Sequence, residues 1–181
     1  MPSFGVIVAI MNDGKILLTR REDFEVWCLP GGGVEDGESL AEATVREARE
    51  ETGLDVELIG LVGIYSRVGN VSPGHMVLFA AKPIGGEIKC QPGETIAAEW
   101  FVSDEIPKLL AAGHKRRIAD AMQGVRGTTV AQDINSPTLP NKITGSQLYE
   151  LRDKSSLSRQ EFYIHMMENA EIKEVVEVGG Q

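Results

Sequence analysis

Apolar positions gather in two short runs near the start of the chain. Residues 4–11 (FGVIVAIM) and 15–20 (KILLTR) are rich in β-branched and aliphatic side chains and predict strands. Asn12-Asp13-Gly14 between them predicts a hairpin, because these residues tolerate the left-handed backbone of a tight strand connection. Residues 28–38 hold Pro30, three consecutive glycines and Gly37, and predict a loop. The period then changes to that of a helix. Ser39 and Glu42 form a capping box, so a helix is expected from Leu40, and Gly53 is placed to end it. At 100° per residue, Ala41, Thr44, Val45, Ala48 and Thr52 fall on one narrow stripe, small enough for close approach to a sheet.

Residues 55–65 and 75–83 read as further strands, separated by a loop carrying Gly69, Pro73 and Gly74. A short strand is expected at 98–102, and a mostly helical stretch at 105–123, broken near Gly113. Strands and helices in this order predict an α/β (α+β) sandwich with a mixed sheet. From Val125 the pattern lapses. Residues 126–145 are rich in Gly, Thr, Ser, Asn and Pro, the composition of a linker. A second capping box, Ser158 with Glu161, and the staple pair Leu157 and Phe162 predict a helix from 159 to 168. The expected organisation is a domain at 1–125, followed at 126–181 by a linker and a C-terminal helical extension of unassigned role. The end, Gly179-Gly180-Gln181, is expected to be disordered.

A length of 181 residues suits one domain with an appendage. The net charge of −9 argues against nucleic-acid or anionic-membrane partners, which favour a basic surface. It leaves an anionic small molecule open, since a bound metal inverts the local field. Cys28 and Cys90 lack metal-ligand spacing and read as reduced thiols, so a cytoplasmic protein is expected. Residues 4–11 are too short to span a bilayer, and without a basic n-region no signal peptide is expected.

The chemistry concentrates in Gly32–Leu54, GGVEDGESLAEATVREAREETGL. Glu47, Glu50 and Glu51 stand at i, i+3 and i+4, on one side of the helix. Runs of this kind are usually solvated helix faces. A concentrated acidic patch after a glycine-rich loop nevertheless suits a hard cation such as Mg²⁺ or Mn²⁺. Arg46 can restrain Glu42 or Glu50 at i±4. Gly31 to Gly33 let backbone approach a metal or phosphate with no Cβ in the way. The full spacing is Gly, five residues, Glu, seven residues, Arg-Glu, apolar, any, Glu-Glu, any, Gly, apolar. At average usage of about 7% per residue type, seven such fixed positions match by chance about once in 10⁸ windows.

That spacing is the Nudix box, and the chain resembles the Nudix hydrolases. The likeness extends more loosely to Leu29-Pro30-Gly31-Gly32 before the box, and to Glu99-Trp100-Phe101 and Asp104-Glu105-Ile106-Pro107 after it. It covers residues 4–125 and leaves 126–181 without a motif. The resemblance implies a Nudix-type α/β/α sandwich that cleaves the diphosphate linkage of a nucleoside diphosphate joined to another moiety. Water would be the nucleophile and Mg²⁺ the normal cation, with Mn²⁺ the substitute. It implies Glu47, Glu50 and Glu51 as metal ligands, with the Gly31 carbonyl as a fourth, and one of these glutamates or a downstream one as general base. Glu99 is the downstream candidate and Glu94 the alternative. Arg46 belongs to the same catalytic group, and Glu38 positions it and the loop. Arg21, ending the second strand, is the candidate for substrate phosphate, with Arg20 as the substitute.

Phe24 and Tyr65 are candidates to stack on a base, whereas Trp27 reads as core or cleft wall. His75 reads as structural, and His114-Lys115-Arg116-Arg117 as a solvated helix face. The expected substrate is ADP-ribose or a related nucleotide sugar, although Asn70 stands where some ADP-ribose hydrolases carry proline. Nucleoside triphosphate pyrophosphohydrolysis is the rival within the same chemistry. A non-catalytic nucleotide-binding regulator is the rival from another class, set against retention of every box glutamate. RNA decapping is disfavoured by the charge. The apolar residues of the extension, Leu148, Leu151, Leu157, Phe162, Met166 and Ile172, need burial against the same domain, over the cleft, or in a homodimer.

Overall fold

The computed structural model describes residues 3–180 except Ser72 and Lys142, so Gln181 of the expected disordered end lies outside the described residues. The elements are β1 (Ser3–Asn12), β2 (Lys15–Arg21), β3 (Trp27–Cys28), β4 (Gly31–Gly33), α1 (Leu40–Thr52), β5 (Leu54–Gly69), β6 (Gly74–Gly86), β7 (Thr95–Phe101), α2 (His114–Met122), β8 (Thr128–Asn135), α3 (Gly145–Lys154), α4 (Arg159–Met167) and β9 (Glu171–Val178). The main sheet path runs β3-β2-β1-β6-β5-β8-β9, with β4 on β1 and β7 on β2. The pairs β1–β6 and β5–β8 are parallel and the others antiparallel, so the sheet is mixed.

Alternation along β1 explains the layers. Ile7 and Ala9 face one way, into a core closed by Ile118 and Ala121 of α2. Val8 and Ile10 face the other way and pack with Ala48 of α1, Leu54 and Ala81. Period-two burial on both faces of a strand requires a cover on each, and two helices supply it. The β1–β2 hairpin turns at Asp13 and Gly14, both with positive φ (48° and 74°), as the sequence implied. In α1 the Ser39–Glu42 capping box forms in both directions, and Gly53 closes the helix in the left-handed region at φ 76°.

Several expectations are corrected. The loop expected at 28–38 contains β4, whose three glycines pair with Gly5, Val6 and Ile7 of β1. The stripe on α1 is rotated: Ala43, Thr44, Glu47, Ala48 and Thr52 are buried, while Ala41 and Val45 face solvent. Burying Glu47 turns the acidic flank toward the sheet edge. The helix expected at 105–123 is confined to His114–Met122, beginning after Gly113 at φ 80° and preceded only by a 3₁₀ turn at Ser103–Glu105. Pro107 and Gly113 punctuate the rest.

The linker expected at 126–145 contains a strand, β8. β8 lies between β5 and β9, and Thr128, Val130, Gln132 and Ile134 are its buried positions. Two of those four are polar, which hid the alternation from the hydrophobic pattern. The helix expected from 159 forms at Arg159–Met167 with its capping box. It is preceded by α3, itself capped by Thr144 and Gln147, and followed by a strand rather than more helix. The extension packs on its own chain. Leu139, Ile143, Leu148, Tyr163 and Met166 form a second core with Phe24, Val26, Val71, Ala112 and Ile134. Leu151, Leu157 and Ile172 remain exposed. Among the described residues no helix is long and apolar enough to cross a membrane.

Candidate active site

Arg46 organises the acidic side of the site. Its Nε donates to Glu38 Oε1 at 2.9 Å and its Nη2 to Glu38 Oε2 at 3.0 Å. Nη1 donates to Glu47 Oε1 at 2.9 Å and to Glu50 Oε2 at 3.1 Å, and Nη2 also reaches the Gly33 carbonyl at 2.9 Å. One planar guanidinium therefore ties the box glutamates to the glycine strand. Glu38 takes the positioning place implied for it, and Glu42 is spent on its capping box instead.

Glu51 lies on the next flank of α1, where the Gly31 N–H donates to its Oε2 at 3.2 Å. Burial pushes the Glu51 carboxyl up to about 7; the Gly31 hydrogen bond and the Arg21 charge oppose this, and the Glu47 and Glu94 charges add to it. Glu47 is raised by burial as well, against the pull of Arg46. Gly31 is sterically required, since a Cβ there would collide with the Val6 carbonyl; one on Gly32 would displace the Glu47 carboxylate, and Gly33 has open space.

A cleft of about 360 Å³ opens beside Glu51 and the glycine strand, lined by Arg21, Asp23, Gly31, Gly32, Glu51, Gly93, Glu94 and Tyr149; Arg46, Glu47 and Glu50 lie outside its lining. Arg21 and Asp23 form an ion pair, with Nε to Oδ1 at 2.9 Å and a second contact through Nη2. Tyr149 of α3 donates to Asp23 Oδ2 at 3.0 Å. Burial would raise the Asp23 carboxyl, but the hydrogen bond from Arg21 leads the effects that hold it below its ordinary value. Arg20 turns away and pairs with Glu25 at 3.4 Å.

Three candidates are corrected by this geometry. Glu99 is exposed and sits opposite Leu18 in mid-strand, and it does not line the cleft. The alternative, Glu94, does, because it stands just before β7, where the Glu22 N–H donates to its carbonyl at 2.8 Å. Phe24 is buried, its ring stacked on Tyr149 at 5.8 Å and on Phe162 at 6.3 Å, so it anchors the extension. Tyr65 is fully buried and donates to Asp120 Oδ2 at 2.8 Å, which makes it core. The basic cluster at the start of α2 is not a solvated face either. Arg117 is fully buried against Gln132, and His114 is buried with Nδ1 accepting from the Leu29 N–H at 3.0 Å. Asn70 binds the 136–139 turn, donating to the Ser136 and Leu139 carbonyls at 2.9 and 3.2 Å.

Sequence reasoning missed Asp23 and Tyr149, which line the cleft, and Arg67, which lines two cavities adjoining Arg21. The signal for Arg67 was a long cation inside the apolar and small-residue strand LIGLVGIYSRVG.

As to a cation, the donor set is hard carboxylate oxygen, and the two raised glutamates are acids that a positive charge would relieve. These residues therefore fit a divalent ion. Among the described residues no three such side chains stand close enough to hold one as arranged, since Arg46 lies between Glu47 and Glu50. Loading requires those contacts to rearrange.

A family model described as the NUDIX domain matches residues 1–121. A protein of Bacillus subtilis (strain 168), provisionally named an 8-oxo-dGTP diphosphatase, is 36% identical over 132 residues, 72% of this chain and 83% of its own. The ADP-ribose pyrophosphatase of Methanocaldococcus jannaschii is 39% identical over 131 residues, 70% of this chain and 76% of its own. A solved ADP-ribose pyrophosphatase from Streptococcus suis superposes with TM-score 0.59 at 30% identity, over 68% of this chain and 92% of that one.

Proposed function

This chain belongs to the Nudix family of hydrolases, and on that premise we propose that it cleaves the diphosphate linkage of a nucleoside diphosphate carrying a further group, ADP-ribose or a related nucleotide sugar. Nudix hydrolases work with divalent cations, and Mg²⁺ is the proposed one, with Mn²⁺ as its substitute. The observation that carries the reading is the cleft itself, which brings Glu51, Glu94 and Arg21 together beside the backbone of Gly31 and Gly32. Relatives named ADP-ribose pyrophosphatase support that choice, beside others named 8-oxo-dGTP diphosphatase and NAD-capped RNA hydrolase.

Glu47, Glu50 and Glu51 would hold the cation, with the Gly31 carbonyl beside them. When bound, the cation neutralises the diphosphate and lowers the pKa of a water in its shell. Arg21 binds the phosphate oxygens, and the Asp23 and Tyr149 contacts fix its direction. Glu94, held on a separate loop across the cleft, takes the proton from the attacking water. Arg46 positions Glu47 and Glu50 and does not touch substrate.

The test is turnover of a panel (ADP-ribose, NADH, nucleotide sugars, diadenosine polyphosphates and nucleoside triphosphates) with Mg²⁺, alongside Glu50→Gln, Glu51→Gln and Glu94→Gln. Metal-dependent release from one class, lost in the variants, is expected. Binding of nucleotide with no turnover on any of them would put the regulatory reading in its place. Nucleoside triphosphate is kept as a second reading because a cationic cavity adjoins the cleft.

A further inference from the structure

Behind Arg21 the cleft continues into two cavities of about 200 Å³ each. Arg21, Arg67 and His114 line both, and Arg117 lines the one that also meets Gly31, Gly32 and Gly33. Arg67 projects from β5 with its Nε buried and, among the described residues, without a hydrogen-bond partner. Arg117 is wholly buried and spends Nε and Nη2 on the amide oxygen of Gln132, at 3.1 and 2.7 Å. Glu174, the acidic group nearest to it in effect, accepts from Gln132 at 2.7 Å. His114 adds no positive charge, since burial holds it neutral. Two guanidiniums thus face one cavity, and among the described residues that line it there is no carboxylate. Each suffers from its own burial, and they repel each other.

A buried, unpaired charge costs several kcal/mol and persists only where something repays it. The rigid fork of a guanidinium matches the oxygens of a phosphate or carboxylate. We infer that Arg67, together with Arg117 and Arg21, forms a subsite for an anionic group of the phosphate class. The group is placed in the cavity that Arg117 lines, next to Gly31–Gly33. Two sources share this chemistry: a third anionic group on the substrate itself, as in a nucleoside triphosphate, or free phosphate acting as product or inhibitor. The first source rests on the hydrolase reading above; the subsite itself does not.

The experiment uses the full chain and inorganic phosphate as probe, read by thermal unfolding in chelator. At about ten times its Kd, phosphate is expected to raise the midpoint by about 4 °C in the wild type and not in Arg67→Met. In its absence Arg67→Met is expected to be at least as stable as the wild type, because a costly charge has gone; a purely structural arginine would leave the variant weaker. Arg67→Lys should keep part of the phosphate shift. No shift in the wild type, or an equal shift in Arg67→Met, overturns the subsite.

A second arm compares kcat/KM for a nucleoside triphosphate with that for ADP-ribose. A fall of more than about 10-fold in that ratio in Arg67→Met assigns the subsite to substrate. An unchanged ratio, with the phosphate shift of the wild type lost in Arg67→Met, assigns it to free phosphate. A phosphate shift dependent on Arg67 in a protein that hydrolyses nothing would sink the hydrolase reading and leave the subsite standing.

Discussion

Replacing Glu51 by glutamine should make the cation-free protein more stable at pH 8 and leave it unchanged near pH 4.5. Glu51 carries a native pKa of about 7 against 4.5 for an ordinary glutamate. Between those values the native state holds a proton that the unfolded chain has released. The contribution to stability is therefore full below pH 4.5 and is lost as pH rises through 7. A separation of 2.5 units at about 1.4 kcal/mol each amounts to about 3 kcal/mol. Glutamine stays neutral and still accepts from the Gly31 N–H, so it escapes that loss. The assay is urea unfolding of both proteins in EDTA from pH 4.5 to 8.5. Taking the difference between them cancels the other titrating groups. A difference that does not grow with pH, or a wild type that is the more stable at pH 8, would refute the reasoning. Saturating Mg²⁺ should reverse the order at pH 8, because the ion binds the carboxylate and not the amide.

Tyr65→Phe removes the donor to Asp120 and should cost about 1–2 kcal/mol in chemical unfolding while leaving KM unchanged; a raised KM would restore Tyr65 to the substrate site. Phe24→Ala removes the ring on which Tyr149, Phe162 and Tyr163 rest and should cost about 3 kcal/mol, with faster proteolysis inside 145–167. Equal digestion rates would count against Phe24 as the anchor. His114 is buried neutral with its pKa well below 6.5, so the unfolded chain takes up a proton that the native state refuses. Stability should fall as pH drops below 6.5, and His114→Gln should flatten that slope; parallel slopes would disprove the assignment.

The hairpin, α1 and its box were legible in the sequence because each rests on contacts within a few residues: Asp13-Gly14 in a turn, Ser39 on Glu42, Gly53 at a helix end. Helix α1 could even be oriented, although by one flank too little, because nothing local says that Glu47 is buried beneath Gly32. β8 escaped because its inward positions Thr128 and Gln132 are polar, and their partners lie far away in sequence: the Val178 carbonyl for Thr128, and Arg117 with the Gly113 carbonyl for Gln132. The same long-range pairing turned Arg117 from an apparent surface charge into the largest fully buried side chain. The choice between Glu94 and Glu99 depends on where β7 begins, which its register with β2 decides. Tyr149 and Phe24 could be placed only once α3 was known to fold back over the second strand.

The two-sided use of β1 also has a kinetic consequence. One edge of FGVIVAIM pairs in parallel with β6, about seventy residues further on, and the other holds the glycine strand of the site. Parallel partners so distant in sequence are slow to meet. Until β6 arrives, β1 is a β-branched apolar segment with an open edge, the kind of surface that recruits other chains. Refolding yield should therefore fall with protein concentration, and activity should return no sooner than the β1–β6 pair is protected from hydrogen exchange.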